Sequence, residues 1–247
     1  MGTVDSWASN LRRDLVSAAR PSAFDLRAYL GSPLPVLAVR VPEIRRVAAS
    51  FERLHPTLTR TDLHRLVRRL WKGTTFEERA LAILLLRNRV RDLGEDTWAM
   101  LDRWVDHATG WGLCDDLASG PIAALVLAEP RRVRALLTWT RSSNFWRRRA
   151  ALYALNGFVR SGDLSTALQV IDRLREDPEF WVQRAVGTWL RECWKKDAPR
   201  IRRYLDAHVA ELPPVALTVA TERAPRSYRA RLRARARAAR RSTPTPS

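Results

Sequence analysis

The sequence predicts an all-α protein, and three features of the chain support that prediction. Apolar residues recur at intervals of three and four, as at Leu63, Leu66 and Leu70, and no stretch shows the sustained alternation of a β-strand. Prolines stand where helices should begin, as at Pro178, and they divide the chain into about a dozen pieces of roughly 10–18 residues, a normal helix length. The third feature is an internal repeat.

The repeat is marked by an aromatic residue and by the dipeptide Arg-Ala. The aromatic recurs every 35 residues, at Phe76, Trp111, Trp146 and Trp181. Arg-Ala follows three residues later at 79–80, 149–150 and 184–185, whereas the register at 114–115 has Cys-Asp. A period of this kind, with two helices per unit, is typical of an α-solenoid. We therefore expect HEAT-like antiparallel helix pairs in one curved domain with a concave face; the alternative is a non-repetitive helical bundle with chance similarity.

We expect this repeat domain to cover residues 1–222 and an arginine-rich tail to cover 223–247. The segment RSYRARLRARARAARR at 226–241 holds eight arginines and no acidic residue. Such a charge run predicts a flexible or nascently helical arm that adds sequence-independent phosphate contacts. A solvated low-complexity end is the alternative.

The charge balance points to a polyanionic partner. Lys+Arg is 44 against Asp+Glu 26, a net charge of +18, which favours nucleic acid first and an anionic membrane surface second. Arginine bias is also produced by genome composition, so charge alone does not decide.

Other classes of protein are excluded by composition. Two cysteines and four histidines without ligand spacing exclude a disulfide scaffold and predict no metal site or cofactor. No apolar run approaches the ~20 residues of a membrane span, and the N-terminus lacks a signal-peptide pattern. We therefore expect a cytoplasmic protein without membrane contact, and the solenoid predicts a monomer.

The break in the repeat is the most informative position. Asp115 stands where the other repeats have a small apolar residue. One interpretation is that its carboxylate acts on a cation. The alternative is that it caps a helix that follows the Gly110–Gly112 loop. Trp111 shares the register of the packing aromatics, but its flanking glycines suggest exposure in a groove. A tryptophan beside a carboxylate is suited to holding a cation. The arginine cluster at 147–149 predicts phosphate contacts on a groove rim, with a solvated helix face as the alternative.

The chain resembles the AlkD-like DNA alkylation-repair glycosylases over roughly residues 22–212. The matching pieces are Trp111 with Asp115, and AYLGSPLPVLAVRVPEIRR at 28–46, SSNFWRRRAAL at 142–152 and FWVQRAVGTWLRE at 180–192.

The resemblance implies an enzyme that excises cationic N3- and N7-alkylated purines, such as 3-methyladenine and 7-methylguanine, from duplex DNA in base excision repair. It implies that the base is not flipped into a deep pocket. Asp115 matches the catalytic aspartate, Trp111 the tryptophan four residues before it, Tyr29 an early cleft tyrosine and Arg149 a backbone-contacting arginine. Four further residues are expected to join Tyr29 and Arg149 in binding the substrate or the DNA: Arg148, Arg184, Thr188 and Trp189.

One position departs from the family pattern. Thr188 stands where the family has a second cleft tryptophan, and Trp189 follows one residue later. One residue on a helix is a rotation of ~100°, so Trp189 should point elsewhere and one wall of the cleft should be missing. A wider cleft suits a bulkier adduct. The departure is also compatible with a second function, in which the protein binds damaged or branched DNA without catalysis. A third possible function is that of a HEAT-type protein-interaction scaffold.

Overall fold

The structure, a computed structural model, describes residues 3–20 and 22–242, and within them it contains helices but no β-strand. The first eight α-helices are α1 (Thr3–Ala18), α2 (Leu26–Leu30), α3 (Val41–Leu54), α4 (Arg60–Trp71), α5 (Phe76–Asn88), α6 (Glu95–Val105), α7 (Trp111–Leu117) and α8 (Ala123–Ala128). The others are α9 (Val133–Trp139), α10 (Phe145–Tyr153), α11 (Asn156–Ser161), α12 (Leu164–Leu174), α13 (Phe180–Trp194), α14 (Ala198–Ala207), α15 (Pro214–Ala220) and α16 (Arg226–Ser242). The all-α prediction is confirmed.

The chain divides into two compact units, Met1–Ala128 and Glu129–Ser247. The predicted boundary at residue 222 does not separate them, because the arginine-rich segment belongs to the second unit. Helices α1–α8 form the first unit and α9–α16 form the second.

The 35-residue repeat corresponds to the starts of helices. The recurring aromatic is the first residue of α5 and α7 and the second residue of α10 and α13. Ala150 and Ala185, which follow it by four residues, are buried, as are Leu63 and Leu66 of the apolar stripe on α4. The register therefore marks the first or second residue of four helices, and Asp115 occupies the fifth helical position of α7.

Helix α7 continues into α8 through a π turn at Ala118–Ile122, where Pro121 sits inside the helix. A π turn accommodates a residue that cannot donate the regular hydrogen bond, and such turns are common near functional sites. The combined stretch Trp111–Ala128 is long and apolar enough to cross a membrane, contrary to the sequence-based expectation. Half of that stretch is buried inside the protein, as in the core helix of a globular unit.

The arginine-rich segment is helical, which is one of the two predicted forms, but it is packed against the protein rather than free as an arm. It forms α16, whose apolar side chains Tyr228, Leu232 and Ala236 are 3%, 1% and 2% exposed. These residues follow one another at intervals of four, so they form one stripe that packs on the second unit. The closing residues 243–247 lie outside the described part of the chain.

Replacing Leu232 with Ala tests whether α16 is part of the core. Removing a fully buried leucine side chain is expected to lower the free energy of unfolding by about 2–5 kcal/mol, measured by urea denaturation. The neighbouring substitution Arg233→Ala, at an exposed position, should change stability little. Equal, negligible effects of both substitutions would show that the segment is a detached arm.

Candidate functional site

Two glycines allow the start of α7 to approach the loop after α2 closely. Gly110 is the N-cap of α7 and has φ +90°, and a Cβ there would lie 2.7 Å from the carbonyl oxygen of Leu30. A Cβ at Gly112 would lie 2.8 Å from Cζ of Phe76. Gly31, in the left-handed conformation, ends α2 on the other side of this contact. Of the glycines that flank Trp111, Gly110 thus allows close packing on the backbone of Leu30, and Gly112 allows close packing on the ring of Phe76.

This approach assembles three aromatic side chains, Phe24, Tyr29 and Trp111, which we call the aromatic cluster. Trp111 Nε1 donates a 2.7 Å hydrogen bond to the backbone oxygen of Tyr29. The Tyr29 and Trp111 rings meet edge to face at 5.3 Å, and Phe24 contacts Tyr29 in the same way at 5.4 Å. Tyr29 and Phe24 are 52% and 60% exposed, so the cluster presents aromatic surface to solvent.

The segment that carries Tyr29 is fixed at both ends. The Asp25 side chain caps α2 by accepting a 3.0 Å hydrogen bond from the Ala28 amide. Beyond α2, the buried carboxylate of Glu77 accepts hydrogen bonds from the amides of Leu37 and Val39, at 2.9 and 3.3 Å. Buried hydrogen-bond acceptors need such donors. The two hydrogen bonds hold in place the extended segment that follows α2 and contains no helix.

Asp115 lies on α7 one helical turn after Trp111 and is partly exposed. Residues four apart share a face of a helix, so the carboxylate and the indole lie on the same side of α7. Asp115 is not the helix cap, because Gly110 occupies that position. The capping alternative is therefore excluded, and a carboxylate next to aromatic faces is a suitable environment for a cation.

The adjacent acid, Asp116, has a different environment. The Asp116 side chain is exposed to solvent. The protein around it nevertheless desolvates the carboxyl group and raises its pKa, and this effect outweighs the charges of Arg87 and Arg45, which lower the pKa. A residue one step along a helix points ~100° away, so Asp116 does not share the face of Trp111.

In the second unit, Arg149 is held in place by its neighbours. It is 4% exposed, and its guanidinium donates to the backbone oxygen of Trp181 and, at 3.1 Å, to the hydroxyl of Tyr153. The guanidinium carbon also lies 4.8 Å from the centre of the Tyr153 ring. The arginine is thus oriented by three groups of its own unit.

Arg148, which the sequence suggested as a DNA contact, has a structural partner. It forms a two-point ion pair with Asp177, at 2.6 and 3.1 Å, and donates to the backbone oxygen of Ser142 at 2.9 Å. Asp177 is 9% exposed. A bidentate pair of this kind ties α10 to the start of the next repeat, and we assign Arg148 to that role.

The second aromatic of the expected cleft is absent from the surface. Trp189 is 5% exposed and packs edge to face on Tyr153 at 5.6 Å, so it is a core residue and its expected role in binding DNA is corrected. Thr188 is partly exposed at the preceding position. Arg184, by contrast, is exposed, with its guanidinium 5.8 Å from the ring of Phe180, which is 50% exposed.

Of the predicted site residues, Tyr29, Trp111 and Asp115 therefore belong to the first unit, and the others belong to the second. Sequence reasoning missed Phe24, which lies five residues before Tyr29 in an irregular segment without periodicity. Among the described residues, no group of three His, Cys, Asp or Glu side chains is placed to hold a metal ion.

Comparison with known proteins places the chain among DNA repair proteins. The sequence model of a family described as "DNA alkylation repair enzyme" matches residues 11–224. A structure from Enterococcus faecalis, described as a "predicted DNA alkylation repair enzyme", superposes with a TM-score of 0.70 at 18% identity, over 81% of this chain and 93% of that one. AlkD2 from Streptococcus mutans gives 0.65 at 16% identity, over 89% and 98%. No curated protein sequence is significantly similar to this chain.

Replacing Gly110 with Ala tests the contact that forms the aromatic cluster. Backbone strain and overlap with Leu30 should together cost about 2–4 kcal/mol of unfolding free energy. The matched control is Gly162→Ala, since Gly162 also has φ +90° but nothing lies within 4 Å of its Cβ position. That substitution should cost about 1 kcal/mol, from backbone strain alone. Equal losses in urea denaturation would contradict the close contact at Gly110.

Replacing Asp116 with Asn tests the desolvation of that carboxylate. Because the folded-state pKa is raised, the native state binds the proton more tightly than the unfolded state does, and ionisation of Asp116 costs stability at neutral pH. The variant should be more stable than the wild type at pH 7, and the difference should shrink as the pH falls toward the ordinary aspartate pKa. A difference that does not change with pH would contradict the desolvation.

Proposed function

Because this chain belongs to the DNA alkylation repair enzyme family, we propose that it is a monofunctional glycosylase that removes cationic N3- or N7-alkylated purines from duplex DNA. The observation that carries the proposal is the exposed aromatic cluster with Asp115 one helical turn away on α7. We propose that it works as a monomer in the cytoplasm, associated with the nucleoid.

The proposed reaction uses the charge that the lesion already carries. An N-alkylated purine is a cation, so the C1′–N bond can break with its electron pair passing to the base, and no acid has to protonate the leaving group. Positive charge then develops on the deoxyribose. Water adds to C1′ and loses a proton, which Asp115 or solvent accepts. The scheme requires no cofactor.

Asp115 would act mainly by electrostatics. A fixed carboxylate near C1′ attracts the sugar more strongly in the transition state than in the ground state, and only such a difference accelerates the reaction. A single preorganised group of this kind contributes about 3–4 kcal/mol. The faces of Tyr29 and Trp111 would attract the cationic nucleotide from the same side of α7.

An arginine of the second unit would hold the DNA backbone. Arg184 is exposed and offers its charge to a phosphate. Arg149 is 4% exposed and its guanidinium is bound by Trp181 and Tyr153, so its expected contact with the DNA backbone is corrected to a structural role. With Thr188 in place of a second aromatic wall, the proposed preference extends to adducts bulkier than a methyl group.

The proposal is tested by single-turnover release of methylated purines from alkylated duplex DNA. Asp115→Asn keeps the size of the side chain but removes its charge, and it should lower the rate about 10²- to 10³-fold. Asp116→Asn, which changes the same charge on the adjacent residue, should leave the rate near that of the wild type. Circular dichroism of both variants controls for folding. Equal rates for wild type and Asp115→Asn would refute the proposed mechanism.

A second candidate function is supported by the burial of Trp189. A protein without that cleft wall can bind damaged or branched DNA without catalysis. This candidate predicts salt-sensitive DNA binding with no base release by the wild-type protein. Preference for a branched over a plain duplex of equal length separates structure-specific binding from general attraction to phosphates.

A further inference from the structure

Helix α16 lies beyond the part of the chain that matches the family, which ends at residue 224. It carries eight of the chain's arginines and no acidic residue. The aromatic cluster and Asp115 do not account for it. The helix is therefore a feature of this chain that the repair activity does not explain.

Helix α16 packs against the other helices of the second unit. Tyr228, Leu232 and Ala236 are buried, and the Tyr228 hydroxyl donates to the backbone oxygen of Arg202 at 3.3 Å. Arg235 pairs with Asp206 at 2.7 Å. A helix held by apolar packing and by these polar contacts presents its remaining side chains in a fixed arrangement.

Five arginines follow the solvent side of α16 at intervals of three and four. We call this set the arginine stripe; its members are Arg226, Arg229, Arg233, Arg237 and Arg241. Four are exposed and Arg229 is partly exposed. Within the described part of the chain, their guanidinium groups have neither an acidic partner nor a hydrogen-bond acceptor. The stripe is thus a row of cations that the protein does not neutralise.

We propose that the arginine stripe binds the phosphate backbone of duplex DNA as a second contact surface. Steps of four residues separate neighbouring guanidinium positions by about 6 Å along the helix, and the stripe spans about 22 Å. DNA carries one negative charge per about 1.7 Å of its axis, counting both strands, so a row of this length lies along a densely charged stretch of duplex. Arginine also suits phosphate because its planar fork donates two parallel hydrogen bonds.

The structure favours DNA over a membrane surface as the occupant. A helix that lies on a membrane inserts an apolar face among the lipids. The apolar face of α16 is covered by the second unit, and the exposed side carries arginines and small residues without an aromatic side chain. The exposed side of α16 therefore offers a partner positive charge and no large apolar surface. The choice of DNA over another polyanion rests on the proposed function.

The experiment measures the salt dependence of binding of the full chain to an undamaged DNA duplex. The double variant Arg233→Gln with Arg237→Gln removes two charges from the middle of the stripe. The slope of log K against log salt should become shallower by about 1.8, or 0.9 for each phosphate that the protein no longer neutralises. Unchanged thermal unfolding controls for folding, since both side chains are exposed.

Two matched variants separate the stripe from general charge. Arg233→Lys with Arg237→Lys keeps the charge and should keep the wild-type slope. Arg91→Gln with Arg103→Gln removes two charges from arginines of the first unit and should also keep it. If the stripe variant has the wild-type slope, or if the first-unit variant changes the slope as much, the proposal is overturned.

Other partners are distinguished by two further probes. Weakened binding to phosphatidylserine vesicles with an unchanged DNA slope would overturn the proposal and assign the stripe to an anionic membrane. A change confined to duplex RNA would overturn it in favour of RNA. Because the assay uses undamaged DNA and no turnover, its outcome is independent of whether Asp115 supports base release.

Discussion

The hydrogen bond from Trp111 Nε1 to the backbone oxygen of Tyr29 is the interaction on which the candidate site depends. It joins the short helix α2 to the start of α7, and it fixes two rings edge to face at their exposed surface. A Cβ at Gly110 would lie 2.7 Å from the carbonyl oxygen of Leu30, so glycine at this position lets the two backbones approach. The candidate site is therefore built on a close backbone contact, with aromatic rings exposed beside it.

The two adjacent acids of α7 have different surroundings, which is why we assign the proposed catalytic role to Asp115 alone. Asp115 shares a face with Trp111, whereas Asp116 points ~100° away toward the influence of Arg87 and Arg45. A basic protein attracts DNA, but it offers nothing to a sugar that becomes cationic. In the proposed mechanism, the Asp115 carboxylate beside the aromatic faces stabilises the cationic sugar, while the protein as a whole keeps the positive charge that attracts DNA.

Local patterns in the sequence predicted much of the fold, because a repeat records the same helix start several times. The aromatic register located the starts of α5 and α7, and the break in it located Asp115. Long-range partners were out of reach: Arg148 pairs with Asp177 across 29 residues, and no local pattern predicts that pair. The packing of α16 had a signal, the four-residue spacing of Tyr228 and Leu232, but the arginines between them concealed it.

The proposed role of Asp115 is tested most directly by its recognition of a positively charged sugar. Affinity can be compared for two duplexes, one with a cationic pyrrolidine in place of the lesion sugar and one with neutral tetrahydrofuran. The wild type is expected to prefer the cationic sugar by tenfold or more, about 1.4 kcal/mol, and Asp115→Asn is expected to lose the preference. Equal affinities of the wild type for both duplexes, or a preference that survives in Asp115→Asn, would contradict it.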